Sequence, residues 1–164
     1  MHKKTIKYTD YNGQQREEDF YFEISESEMF ILEVSTPEGY LEHMRQVGNS
    51  HDGAAIMAMF RNFLHAAYGE KSADGKYFDK SDEISRRFEH TRAYNVLFME
   101  LVTDAKKAAA FVSACLPFNN EQRKDFDKKV DKMIDEFNAQ IDKEEQERQE
   151  EAAVTPVMVN NTEV

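Results

Sequence analysis

Apolar and polar positions alternate at the start of the chain and shift to a helical period further on. Thr5-Ile6-Lys7-Tyr8-Thr9 alternates, and Asp19-Phe20-Tyr21-Phe22-Glu23-Ile24 alternates again with aromatic, β-favouring side chains. Asn12-Gly13 between them is the dipeptide that tolerates positive φ at both centres of a tight turn. The first 24 residues therefore read as a β-hairpin, with Phe20, Phe22 and Ile24 on one face and Tyr21 and Glu23 on the other. A two-stranded ribbon is marginal alone in water, so the Phe/Ile face must pack on helices.

From Ser25 the spacing is helical. Ser25 or Ser27 caps a short helix through Met29, Phe30, Ile31 and Val34 that stops near Pro37. A second short helix covers Tyr40 to Val47, followed by the loop Gly48-Asn49-Ser50. Asp52 or Ser50 caps a stronger helix to about Tyr68, with Ile56, Met59, Phe60, Phe63 and Ala67 in an apolar stripe. Gly69 to Asp79 reads as a polar loop turning at Asp74-Gly75, with Tyr77 and Phe78 as anchors to the core. Ser81 starts a helix to about Glu89. Thr91 to Val102 places Tyr94, Leu97, Phe98 and Leu101 on one face. Thr103 is expected to cap an Ala-rich helix with Ala108, Phe111, Val112 and Cys115 inward, ended by Leu116-Pro117.

Residues 120–153 contain neither Gly nor Pro and read as one long amphipathic helix. Phe126, Val130, Met133, Ile134, Phe137 and Ile141 alternate steps of three and four along it, a narrow seam. Asp142 to Glu151 is almost entirely charged, and Val154 to Val164 reads as a frayed tail. No internal repeat is present. The expected fold is mainly α with an N-terminal β-hairpin (α+β): a hairpin and helical domain at 1–117, an acidic amphipathic helix at 118–153, and a flexible tail at 154–164.

Composition changes this picture in two ways. The 164 residues hold 32 acidic and 21 basic side chains, a formal charge of −11, so binding to nucleic acid or to an anionic membrane is not expected. Residues 121–164 contribute 13 acidic and 7 basic side chains, so −6 of that charge sits in the C-terminal arm. With no Trp, 12 Phe and 8 Met, the core must be built from Phe, Met, Leu and Ala. No run of 18 apolar residues occurs, and the polar start Met1-His2-Lys3-Lys4 lacks the apolar stretch of a signal peptide. One cysteine, Cys115, forms no internal disulfide, which fits a reducing cytoplasm.

Candidate chemistry is sparse. The histidines form no His-x-x-x-His pair, and one cysteine cannot start a zinc cluster. His51-Asp52 is similar to a dipeptide that helps bind metal in a phosphohydrolase superfamily, although a His-Asp pair before a helix ordinarily serves as a cap. A small metal-dependent hydrolase centred on His51 and Asp52 is the enzyme alternative. Gly69 and Gly75-Lys76 miss the spacing of a phosphate loop, and Tyr77 replaces its metal-binding hydroxyl. Cys115, on an apolar helix face, reads as a buried structural thiol. No cofactor or metal is expected. The C-terminal helix can pack on its own domain, on a second copy in a homo-oligomeric structural protein, or in a partner's groove.

Several collinear stretches carry a resemblance. They are Ile6-Lys7-Tyr8-Thr9-Asp10-Tyr11-Asn12-Gly13 with Glu18-Asp19-Phe20-Tyr21-Phe22, Ala67-Tyr68-Gly69-Glu70-Lys71-Ser72-Ala73-Asp74-Gly75-Lys76, the segment from Ala93-Tyr94-Asn95 to Thr103-Asp104-Ala105, and Ala108-Ala109-Ala110-Phe111-Val112. Over residues 3–117 the chain resembles the tail assembly chaperones of long-tailed (siphovirus-type) phages of Gram-positive hosts. The segment Phe30 to Asn49 matches only loosely, and the family chain is expected to end soon after Leu116-Pro117.

The resemblance implies a non-enzymatic assembly factor in the host cytoplasm. Such a factor binds the tape measure protein, keeps it soluble, helps recruit tail tube subunits, and is absent from the mature virion. Partner contacts are then expected on helical faces around Met57, Met59 and Phe60, or around Phe126, Val130, Met133 and Phe137, with core packing the alternative for the first group. Self-association through the C-terminal seam stays open.

Overall fold

Strands β1 (His2–Thr9) and β2 (Gln15–Phe22) pair antiparallel, with Thr9 opposite Gln15 and His2 opposite Phe22. The computed structural model describes residues 1–50 and 52–154. The hairpin loop is Asp10 to Gln14, longer than the expected two-residue turn. Asp10 explains the difference: its Oδ1 accepts from the Asn12 and Gln14 amides, each at 2.9 Å, while Gly13 takes φ 80°.

The sheet does not stop at the hairpin. Tyr68, read as the end of a helix, and the Gly69 to Asp79 segment, read as a polar loop, supply β3 (Tyr68–Lys71) and β4 (Phe78–Asp79), giving the order β1-β2-β3-β4. Tyr21 faces Gly69 and Phe22 faces Tyr68 across the β2–β3 ladder. Asp74-Gly75 does turn the chain, with Gly75 at φ 73°. Phe78 is half-buried, as an anchor should be, but Tyr77 is exposed.

The described residues form seven helices: α1 (Glu26–Ser35), α2 (Tyr40–Asn49), α3 (Gly53–Ala67), α4 (Asp82–Glu89), α5 (Arg92–Val102), α6 (Ala105–Cys115) and α7 (Asn120–Val154). The protein is thus mainly helical with an N-terminal antiparallel sheet, the expected class. Short polar side chains start the helices. Ser25, Asp52, Ser81 and Thr91 each accept from amides of the first turn. At α6 the cap is Asp104, which accepts from Lys107 N, and Thr103 ends α5 instead.

Phe22, Phe63, Leu64, Ala67, Ala93 and Leu97 are buried at the centre. Phe22 meets Phe111, Tyr68 and Phe88 at ring-centroid distances of 5.0, 5.6 and 5.8 Å, and Tyr68 stacks on Phe88 at 4.0 Å. A core without tryptophan is thus an aromatic cluster, whose pairs each add about 0.5–1.5 kcal/mol beyond area burial. The Phe20/Phe22/Ile24 face of the hairpin does pack on helices, with Phe22 and Ile24 buried and Phe20 set against Phe88 at 5.1 Å.

Helix α7 folds back along α6. Arg123 Nη1 donates to the carbonyl of Ser113 near the end of α6, while Lys106 Nζ at its start lies 4.0 Å from Asp135 Oδ1. Phe126 meets Phe118 at 5.3 Å, and Ile134 is buried. Met133 also reaches α2: its Cε lies 3.4 Å from the position a Cβ on Gly48 would take.

Candidate partner-binding surface

Of the two residues singled out for catalysis, Asp52 has structural partners. Asp52 Oδ1 accepts from Ala54 N and Ala55 N at 3.0 and 3.1 Å, the work of a helix cap. His51, its proposed companion, lies outside the described residues. Among the described residues no group of three or more His, Cys, Asp or Glu is placed to hold a metal ion. Cys115 is buried on α6, and burial pushes its thiol up to about 12, so it stays protonated and unreactive at neutral pH. A shallow depression of about 210 Å³ lies between His2, Lys4, Glu100 and Phe111. Lys4 there is paired with Glu100 at 2.8 Å. Among the described residues no helix is long and apolar enough to cross a membrane.

The residues expected to face a partner are spread over two helices. On α3, Met57 is 36% exposed and Met59 half-buried, whereas Phe60 is only 7% exposed and its ring lies 6.0 Å from that of Phe98. On α7, Phe126, Val130, Met133 and Phe137 are half-buried. Phe126 packs against the body, and Met133 sits beside Gly48.

A larger apolar exposure occurs on α1, which buries no residue fully. Phe30, Ile31 and Val34 are 68%, 59% and 66% exposed. Their relation i, i+1, i+4 places them on one side of the helix, while Met29 and Leu32 on the other side pack against the core.

This orientation is fixed at both ends of the helix. At the start, Ser25 and Glu28 form a capping box: Glu28 N donates to Ser25 Oγ at 3.3 Å, and Ser25 N to Glu28 Oε2 at 2.7 Å. Lys80 Nζ donates to the same carboxylate at 2.7 Å. Burial pushes the Glu28 carboxyl up, but the hydrogen bonds from Lys80 and Ser25 outweigh it and hold the group below the usual range. At the far end Glu33 Oε2 accepts from Tyr40 N at 2.9 Å, and Gly39 at φ 85° makes the bend into α2.

Sequence reasoning placed a helix here without seeing the outward face. The signal was present, since Met29, Phe30, Ile31, Leu32 and Val34 span more of the circumference than one packed side can bury. Further apolar side chains point outward on α5, at Val96 and Met99.

An α+β body that turns apolar side chains outward from several helices has the build of a protein-binding module. The chain belongs to the phage tail assembly chaperone family, whose family model matches residues 1–162. No curated protein and no solved structure matches it. The match runs through α7, so the expectation that the family likeness ends at Leu116-Pro117 is corrected. The role this family implies, assisting assembly of phage tails, is non-enzymatic.

Proposed function

We propose that the protein serves a long-tailed, siphovirus-type phage of a Gram-positive host by binding the tape measure protein, keeping it soluble and helping recruit tail tube subunits. It acts in the host cytoplasm and leaves before the virion matures. The observation that carries this reading is the set of outward apolar side chains on a strongly acidic member of a tail assembly chaperone family. Net charge keeps such a protein dispersed, while methionine and phenylalanine surfaces accept varied helical segments.

In this reading Met57 and Met59 on α3, and Val130, Met133 and Phe137 along α7, contact the partner, with Phe60 and Phe126 supporting them from beneath. Residues 1–117 form the hairpin and helical domain and 118–153 the amphipathic helix, while the tail expected at 154–164 lies, beyond Val154, outside the described residues. Co-expression with the tape measure protein from the same genome tests the proposal. The expected result is a complex at low salt and a larger soluble fraction of the tape measure protein. Two folded proteins that fail to co-purify under those conditions would overturn it.

A further inference from the structure

We infer that the outward face of α1, formed by Phe30, Ile31 and Val34, is a docking strip for an amphipathic helix of a partner protein that carries lysine or arginine beside its apolar stripe. The inference builds on the chaperone reading and adds the surface used and the chemistry of what it takes. Isolated exposed apolar residues are ordinary, but three large ones crowd a single short helix here, each more than half exposed. Helix formation does not call for them, since polar helix formers would serve that face as well. Capping at one end, the Glu33–Tyr40 bond at the other and the Lys80 contact hold the strip in place before any partner arrives.

The surrounding charge selects the occupant. No lysine or arginine occurs between Arg16 and Arg45, whereas that stretch holds nine acidic residues. Glu26 and Glu33 are exposed and lie along one border of the strip, and Glu38 follows just beyond the helix. An apolar helix with a basic flank meets both features at once, in the helix-in-groove manner with anchors at i, i+3 or i+4, and i+7. A second copy of this chain is disfavoured, because two α1 faces meeting would press Glu26 and Glu33 of each copy toward the same carboxylates of the other.

The test uses the full chain and two labelled, designed helical peptides with one leucine stripe, one flanked by lysines and the other by glutamates. The wild-type protein is expected to bind the lysine peptide about tenfold or more tightly than the glutamate peptide, with the difference shrinking as salt rises. The double variant Phe30→Ser/Val34→Ser is expected to lose about tenfold or more of that affinity. Glu26→Lys should narrow the preference between the peptides. Equal binding of both peptides by the wild-type protein, a comparison that needs no variant, would overturn the inference. A wild-type dimer that becomes a monomer in the double variant would overturn it too, by showing that a second copy covers the strip. Co-purification of the tape measure protein separates the two readings. Retention by the wild type and the double variant alike, with neither peptide bound, sinks the strip and leaves the chaperone reading standing. Lysine-peptide binding without tape measure retention does the reverse.

Discussion

Lys80 Nζ lies 2.7 Å from Glu28 Oε2 and also donates to the main-chain carbonyls of Glu23 at 2.7 Å and Ala66 at 3.2 Å. One ammonium group therefore ties the segment after β2, the first turn of α1 and the end of α3. Lys80→Met keeps most of the stem but removes the charged donor from two carbonyls and from the Glu28 carboxylate, which keeps only Ser25. The expected loss is about 2–3 kcal/mol, given charged hydrogen bonds worth ~1.5–3 kcal/mol and the added cost of stranded partners. Urea unfolding monitored by circular dichroism measures it, and an unchanged midpoint would show that water replaces the ammonium freely.

Acid should weaken the protein through the same carboxylate. Glu28 is held low by Lys80 and Ser25 against the opposing effect of burial, and Glu89 is held low by Arg61, whose Nε donates at 2.5 Å. A carboxyl whose folded pKa is depressed adds stability above its unfolded value, and that contribution disappears as pH falls through the folded one. Stability is expected to be flat down to the ordinary glutamate value of 4.5 and to decline below it. Urea midpoints collected from neutral pH to pH ~3 give the comparison. In Glu28→Gln the decline should be shallower.

Gly69 tolerates no side chain. A Cβ there would sit 2.7 Å from Phe78 Cζ, 2.8 Å from Lys80 Cγ and 2.9 Å from the carbonyl oxygen of Asp79. The first two neighbours can shift, but the third is backbone of the adjoining strand. Gly69→Ala should therefore cost about 1–3 kcal/mol and loosen the β3–β4 pairing. Hydrogen exchange at Lys71 and Asp79 would report that loosening, and wild-type protection in the variant would refute the steric argument.

Cys115 offers a probe of global opening. Its thiol is enclosed and pushed up to about 12 by burial, so a thiol reagent at mildly alkaline pH should find it unreactive in the folded protein. In denaturant it should react once per chain, since Cys115 is the single cysteine. Fast labelling of the native state would mean that α6 opens locally.

Helix placement was legible because caps and apolar stripes are local. Ser25, Ser81 and Thr91 lie where capping chemistry puts them, and the stripe of α3 becomes the buried Phe60, Phe63 and Ala67. Strands β3 and β4 were not legible. β4 has only Phe78 and Asp79, too few to show a period, and the Phe22–Tyr68 pairing joins residues far apart in sequence. Of the outward apolar side chains, Met57 was among those expected from sequence to face a partner, whereas Phe30, Ile31 and Val34 were expected only as members of a helix. A helical period says that a residue sits on a face, and only the position of Met29 and Leu32 against the core tells which face is left outside.

Past Ile141, the side chains of helix α7 from 142 to 150 are exposed wherever burial is described. What supports it there is local, such as Lys143 Nζ at 3.8 Å from Glu147 Oε1. Exposed pairs of this kind are worth roughly 0.3–0.5 kcal/mol and fade with salt. A helical segment this short is marginal without packing. The reach of the arm is consequently adjustable: each residue that leaves the helix extends the chain from about 1.5 Å to as much as ~3.4 Å. Temperature and ionic strength therefore bear directly on how much of this exposed segment stays helical.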